Sequence, residues 1–126
     1  MKFIEENKCH ALTLTYYEVG NALWKESCFL KRLSFDEAVE VLKFVDMLFS
    51  RVEVIDVLTP RFGVEAFATA FQTGLTFYDA SYLLMAKKGD MQLVSDDERL
   101  INISRSIGVK CLRSRDLPIK TSSRPR

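Results

Sequence analysis

Short apolar runs alternate with longer amphipathic runs along this chain, and this alternation constrains the fold more than any other feature. The short runs are strand candidates, and they lie at 11–14, 52–57, 91–94 and 109–112. The longer runs have helical spacing of apolar residues, and they lie at 15–28, 34–49, 59–73, 76–88 and 96–107. Helices between successive strands favour a mostly parallel sheet with helices on both faces. The sequence therefore predicts a three-layer α/β/α fold.

Several helix boundaries carry local signals. Ser34 and Glu37 form a Ser-x-x-Glu capping box, and Gly74 and Gly108 are placed to end helices. Thr59-Pro60 predicts a helix with proline at its first position. The buried face of that helix is predicted to consist of Val64, Phe67, Ala68 and Phe71.

Composition limits the class of protein. A chain of 126 residues that is 48% hydrophobic can bury one ordinary core without disulfides. Its net charge of +1 argues against binding a polyanion through overall charge alone. Three cysteines without a CxxC pair and a single histidine, His10, argue against a zinc site and a histidine general base. We expect a cytoplasmic protein, since no run is long and apolar enough for a membrane span or a signal peptide.

Carboxylates occur at three places with otherwise apolar surroundings. Glu18 is the only charged residue in 12–24, and Asp79 is the only one in 76–86. Asp96 and Asp97 follow the strand candidate at 91–94. In open parallel sheets, ligands bind outside the carboxyl ends of the strands, and an acid in apolar surroundings needs a partner or a cation. The pattern predicts that these acids form one site.

The residues around the acids resemble three motifs of the PIN domain family, the metal-dependent nuclease fold that includes the VapC ribonucleases of prokaryotic toxin–antitoxin pairs. Glu18, followed three residues later by Asn21, is similar to the second acidic motif. The run Tyr78-Asp79-Ala80-Ser81-Tyr82 is similar to the third. The run Ser95-Asp96-Asp97, with Leu100 after it, is similar to the fourth, in which a hydroxyl residue precedes an aspartate by two positions.

The resemblance implies a divalent-metal-dependent endoribonuclease. It assigns Glu18, Asp79 and Asp97 as catalytic ligands of Mg²⁺ or Mn²⁺, since hard oxygen donors suit these ions. It gives auxiliary roles to Asn21, Ser95 and Asp96. It also implies an RNA substrate, a homodimer and a small antitoxin partner.

The resemblance further implies a central strand ending in a first catalytic aspartate, ahead of the helix that carries Glu18. No residue of this chain matches that aspartate. We therefore expect an N-terminally truncated PIN-like domain at 1–117, with the first central strand missing and activity weak or absent. Residues 118–126, which are basic and contain serines and prolines, predict a flexible tail.

Other interpretations of the same residues stay open. Asp79 can complete a capping box with Thr76, and Asp96 or Ser95 can cap the following helix. An alternative function is a catalytically impaired PIN-fold binding module for an antitoxin-like protein or RNA. A receiver-like or phosphatase-like domain ranks last, because the chain has no Asp-x-Asp nucleophile motif and Lys110 comes too early in its strand.

Overall fold

The computed structural model describes residues 8–56 and 59–117, which fall in two compact units, Met1–Asp56 and Val57–Arg126. Each unit contains one pair of short parallel strands together with its own helices. The predicted α/β class with parallel strands is thus confirmed. In the described part of the chain, no helix combines the length and the apolar character needed to cross a membrane. The predicted tail at 118–126 lies outside the described residues, and the domain span 1–117 stays a prediction.

The first unit places a helix directly after its first strand. Its elements are β1 (His10–Leu12), α1 (Thr13–Trp24), a π-helical turn (Lys25–Phe29), α2 (Phe35–Phe49) and β2 (Glu53–Ile55). β1 pairs in parallel with β2, with His10 opposite Glu53 and Leu12 opposite Ile55. Leu14, which was predicted to lie in a strand, is helical. Both strands are therefore shorter than the apolar runs that predicted them.

Side-chain hydrogen bonds fix the two helices of the first unit. The Ser34 hydroxyl accepts a bond from the Glu37 N–H at 3.1 Å, and Glu37 accepts one from the Ser34 N–H at 2.9 Å, which confirms the capping box. The Tyr16 hydroxyl donates to Asp46 at 2.8 Å, and the Tyr16 ring meets Phe49 edge-on at 5.3 Å. These contacts join α1 to α2. This bond and the nearby Asp46 charge raise the pKa of Tyr16.

The second unit is organised around a strand–helix–strand segment. Its elements are α3 (Phe62–Thr73), α4 (Phe77–Lys88), β3 (Leu93–Val94), α5 (Glu98–Ser106), β4 (Cys111–Leu112) and a 3₁₀ turn (Ser114–Asp116). β3 and β4 are parallel, with Leu93 opposite Cys111 and Val94 opposite Leu112. A buried apolar cluster joins α4 to α5 and consists of Leu75, Leu83, Ala86, Leu100 and Val109, and Leu93 of β3 packs against it.

Helix α3 departs most from its prediction. It starts at Phe62 after Arg61, which has a left-handed backbone (φ 72°), and the Thr59 carbonyl accepts from the Phe62 N–H, so Thr59 and Pro60 form a turn. The predicted buried face is wrong, because its four residues are exposed, Phe71 to 81%. The buried positions are Phe62 and Ala66.

The physical reason lies in how α3 packs against α4. Helices approach closely where small side chains meet, and the buried positions include Ala66 on α3 and Ala80 and Ala86 on α4. Glu65 of α3 pairs with Lys88 of α4 at 2.7 Å. The helix is thereby rotated so that its large apolar side chains point away. The two helix-ending glycines are as predicted, with Gly74 at φ 77° and Gly108 at φ 86°.

Candidate functional site

The segment that joins β3 to α5, Ser95–Asp97, forms what we call the acid loop. The Ser95 N–H donates to the Leu112 carbonyl at 2.9 Å, which continues the parallel pairing of β3 with β4 by one residue. The Ser95 hydroxyl accepts a hydrogen bond from the Asp97 N–H at 3.0 Å. The hydroxyl predicted to serve the site therefore shapes the backbone that presents Asp97.

Asp97 is the N-cap of α5. Its Oδ1 accepts a hydrogen bond from the Leu100 N–H at 2.9 Å, so the expectation that Asp96 or Ser95 would be the cap is wrong. Asp97 is exposed, and among the described residues its second oxygen, Oδ2, accepts no hydrogen bond. One oxygen thus holds the helix end while the other is available to a ligand.

Asp96 points toward the segment that follows β4. Its Oδ1 accepts from the Ser114 N–H at 2.8 Å, and its Oδ2 accepts from the Ser114 hydroxyl at 2.7 Å. These two bonds lower the pKa of Asp96, and the nearby Arg113 and Arg115 charges lower it further. This pairing is the physical reason why Asp96 does not cap α5, since its carboxylate is already engaged elsewhere.

An ion pair on the other side of Asp97 joins the same two segments. The Arg113 guanidinium lies 2.6 Å from Glu98, the first residue of α5. The hydrogen bond from Arg113 holds the pKa of Glu98 below its ordinary value. The Arg113 N–H also donates to Asp116 at 3.2 Å, which closes the 3₁₀ turn. The charged groups around the acid loop are therefore paired rather than left as one acidic patch.

Asp79 lies in the first turn of α4, also in the second unit. The Thr76 hydroxyl, at the N-cap, accepts a hydrogen bond from the Asp79 N–H at 3.1 Å. Asp79 itself is half-buried, and the next residues, Ala80 and Ser81, are buried. The capping geometry that the sequence allowed is thus present at the backbone, and an acid at this end of a helix also gains from the helix dipole.

Glu18 and Asn21 lie on α1 in the first unit, and both are exposed. They are three residues apart in one helix, so they share a face. Glu18 follows the last residue of β1, Leu12, by six positions and sits in the second turn of the helix. The predicted role of Asn21 in orienting Glu18 stays a prediction.

Sequence reasoning missed Ser114 and Arg113, which contact the acid loop region from across the parallel strand pair. The feature that predicts their positions is the register in which β3 pairs with β4. Residues of β3 face residues of β4 that stand 18 positions later, as Val94 faces Leu112, and the same offset leads from Asp96 to Ser114. Strand ends in register bring together the residues that follow them. No local motif contains this information.

The predicted metal ligands are distributed over both units, with Glu18 in the first and Asp79 and Asp97 in the second. Among residues 8–56 and 59–117, no three histidine, cysteine, aspartate or glutamate side chains form a group of the kind that holds a metal ion. Convergence of the three carboxylates stays a prediction. The donor chemistry fits Mg²⁺ or Mn²⁺, because these ions prefer oxygen ligands and Asp97 offers an exposed carboxylate oxygen.

Three of the known proteins to which the chain is similar come from Pyrobaculum aerophilum. No protein-family model matches the chain. The chain is 40% identical over 94 residues to exonuclease VapC9. The aligned segment covers 75% of this chain and 65% of that protein. It is 35% identical over 101 residues to ribonuclease VapC3, covering 76% of this chain and 71% of that protein. The crystal structure of PAE2754 has a TM-score of 0.65 and 33% identity, covering 80% of this chain and 64% of that one.

Fold and site together define an α/β protein with a carboxylate-bearing loop at the end of a parallel strand. The similarity to VapC3, which covers 71% of that protein, identifies the group more closely. The chain belongs to the VapC-like branch of the PIN domain family. It spans slightly less than two thirds of VapC9 and of PAE2754, at 65% and 64% of their lengths.

Proposed function

We propose that this chain is a divalent-metal-dependent endoribonuclease of the VapC type. Family membership supports the nuclease class, since two relatives are named as an exonuclease and a ribonuclease. The observation that carries the proposal is Asp97, whose Oδ1 caps α5 while Oδ2 has no hydrogen-bond partner among the described residues. A carboxylate held in this way is fixed in direction and still able to bind a cation.

The proposed chemistry is phosphodiester hydrolysis. When bound, Mg²⁺ or Mn²⁺ would supply charge neutralisation at the scissile phosphate and would lower the pKa of the attacking water. Glu18, Asp79 and Asp97 would hold that ion through carboxylate oxygens. The Ser95 hydroxyl keeps Asp97 in place by accepting a hydrogen bond from the Asp97 N–H, and Asn21 would orient Glu18. Neither His10, which is paired with Glu53 at 2.6 Å, nor the buried Cys111 thiol is needed.

The names of the relatives leave the mode of cleavage open, because one is an exonuclease and the other a ribonuclease. We infer internal cleavage of single-stranded RNA. A circular RNA tests this directly, since only an endonuclease can open it. Linearisation of the circle by purified protein in Mn²⁺ supports the proposal. Degradation of an end-labelled linear RNA without attack on the circle contradicts it, and attack on matched DNA instead of RNA contradicts the substrate class.

The residue roles are tested with charge-removing variants that keep the fold. Asn caps helices about as well as Asp, so Asp97→Asn keeps α5 capped and removes the charge. We expect it to reduce cleavage and Mn²⁺ binding by at least about tenfold. Asp90→Asn is the matched control, because Asp90 is exposed in a turn with φ 52°, a conformation that Asn also tolerates. If both variants lose the same activity, Asp97 has no special role.

The aspartate that the family resemblance assigns to the first motif has no match among residues 1–126. We therefore expect cleavage by this chain to be weak or, in the second candidate, absent, since the remaining carboxylates provide less charge for a divalent ion. An impaired binding module for RNA or an antitoxin-like protein is the corresponding second candidate. The two are distinguished by RNA binding without cleavage, measured by gel shift in Ca²⁺ and by cleavage in Mn²⁺.

The partners that we propose are RNA, a second copy of the chain and a small antitoxin protein, acting in the cytoplasm where that RNA occurs. Exposed aromatic residues in both units support assembly, among them Trp24 and Phe71. Exposed apolar clusters of this kind mark interaction surfaces. Light scattering at micromolar concentration tests the dimer, and a monomer mass over that range contradicts it.

A further inference from the structure

The residues on either side of Asp97 are tied to two consecutive residues of the segment after β4. Asp96, before it, receives both polar hydrogens of Ser114 at 2.8 and 2.7 Å. Glu98, after it, receives the Arg113 guanidinium at 2.6 Å. Asp97 therefore lies between two anchored neighbours, and its own contacts run to Ser95 and Leu100.

We propose that Asp96, Glu98, Arg113 and Ser114 form a latch that positions Asp97, and that Asp96 is a positioning residue rather than a metal ligand. The part of this inference that concerns metal binding rests on the proposed function. Both oxygens of Asp96 are engaged by Ser114, which directs the carboxylate toward the 3₁₀ turn. Moving it onto a cation would leave the Ser114 N–H without its acceptor.

The latch explains why an exposed loop can present one carboxylate oxygen in a fixed direction. Its bonds involve charged groups, which form shorter and stronger hydrogen bonds than neutral pairs do. The acid loop contributes little apolar burial of its own, since Asp96 and Asp97 are exposed. Order in the loop must then come from these polar bonds and from the parallel pairing beside them.

Amide hydrogen exchange tests the latch without any metal. The reporter is the Leu100 N–H, which donates to Asp97 Oδ1. We expect Asp96→Ala to accelerate its exchange by about tenfold, because it removes both charge-assisted bonds to Ser114, and Ser114→Ala to accelerate it by less, because the Ser114 N–H is kept. Ser114→Thr keeps both the hydroxyl and the N–H and should restore the original rate. The Val109 N–H, which donates to Ser104, should not change and excludes general destabilisation.

Mn²⁺ binding, measured by calorimetry, separates positioning from ligation. If Asp96 only positions Asp97, then Asp96→Ala weakens binding by about tenfold, Ser114→Ala weakens it in the same direction by less, and the double variant is no weaker than Asp96→Ala. If Asp96 is a ligand, Ser114→Ala leaves affinity unchanged or increased while Asp96→Ala reduces it, and that result overturns the proposal.

Ser106→Ala is the matched control, because the Ser106 hydroxyl bonds within α5, to Ile103, and takes no part in the latch. Unchanged Leu100 exchange in Asp96→Ala would overturn the latch whatever the metal result. If the unsubstituted chain binds no Mn²⁺, the proposed metal-dependent function fails, and the exchange experiment still decides whether the latch positions Asp97.

Discussion

The two units of the chain bury their apolar residues to very different extents. In the described part of the first unit, the buried apolar residues are Leu12, Ala38 and Val45. The described part of the second unit, residues 59–117, buries ten, namely Phe62, Ala66, Leu75, Ala80, Leu83, Ala86, Leu100, Ile101, Val109 and Cys111. Both units also expose large apolar side chains, such as Phe35 at 77% in the first and Phe71 at 81% in the second. Only the second unit has a well-developed core of its own among these residues.

The two units also differ in the hydrogen bonds that support their predicted metal-binding carboxylates. The acid loop is connected by hydrogen bonds to β4, to α5 and to Ser114. Helix α1, which carries Glu18, has no buried residue and begins without a side-chain cap. It is attached through Thr13, which donates to the Ile55 carbonyl at 3.3 Å, and through the Tyr16 contact with Asp46. Hydrogen bonds therefore support the backbone that carries Asp97 more strongly than the helix that carries Glu18.

The largest expected effect on stability comes from shortening a buried side chain in the core of the second unit. Ile101 on α5 is completely buried, and Ile101→Ala should lower the free energy of unfolding by about 2–5 kcal/mol through lost contacts and a cavity. Val45→Ala, at the best-buried part of α2, should cost about 1–2 kcal/mol, since fewer methyl groups are lost from a less enclosed site. Urea unfolding followed by circular dichroism measures both. If the two variants lost the same free energy of unfolding, the two units would not differ in how well their cores are packed.

A smaller effect is expected at the cap of the acid loop. Asp97→Ala removes the acceptor of the Leu100 N–H and should cost about 1 kcal/mol, whereas Asp97→Asn should stay within a few tenths because Asn is an equally good cap. Thermal unfolding of the two variants side by side provides the measurement. Equal stability of the alanine and asparagine variants would show that the cap contributes nothing, and that the loop depends on the latch alone.

The sequence was most informative where the cause is local. The Ser34–Glu37 capping box and the Gly74 helix end are present as predicted, because each depends on residues within one turn. The exposed face of α3 was mispredicted, because apolar spacing identifies a stripe without saying which stripe meets a neighbouring helix. The close approach of α3 to α4 favours the small Ala66 over Phe71.

The candidate site shows the same division. Asp97 and Ser95 follow from a short motif, and their hydrogen bond to each other is local. The pairing of Asp96 with Ser114 depends on the β3–β4 register, which no single segment encodes. The cap was assigned to the wrong residue because the competing partner of Asp96 lies 18 positions away. Long-range pairing therefore decides which of the two adjacent aspartates caps α5.

A substitution in the exposed apolar stripe of α3, which includes Phe71, is expected to have a still smaller effect on stability. Phe71→Ser should change the free energy of unfolding by no more than about 0.5 kcal/mol, because the side chain is 81% exposed and leaves no cavity. A large loss of stability would mean that the stripe is covered, by a second copy or another part of the assembly. Urea unfolding at two protein concentrations distinguishes these cases, since a dimer interface makes stability depend on concentration.

The smallest expected effect is a pH dependence in the first unit. The bidentate bond from Arg32, at 2.8 and 2.6 Å, lowers the pKa of Glu26 below its ordinary value. A lowered folded-state pKa means that the pair stabilises the folded state above the unfolded-state pKa and loses this contribution as the pH falls through the folded-state value. Glu26→Gln should therefore be slightly less stable than the unsubstituted chain at neutral pH, and the difference should vanish as the pH falls through the lowered folded-state pKa of Glu26. Fluorescence of Trp24, the only tryptophan, reports on this unit.

Glu65→Gln is the matched variant in the second unit, because it breaks the ion pair with Lys88 and has the same expected sign. A stability difference that grows toward low pH in either variant would contradict the assignment.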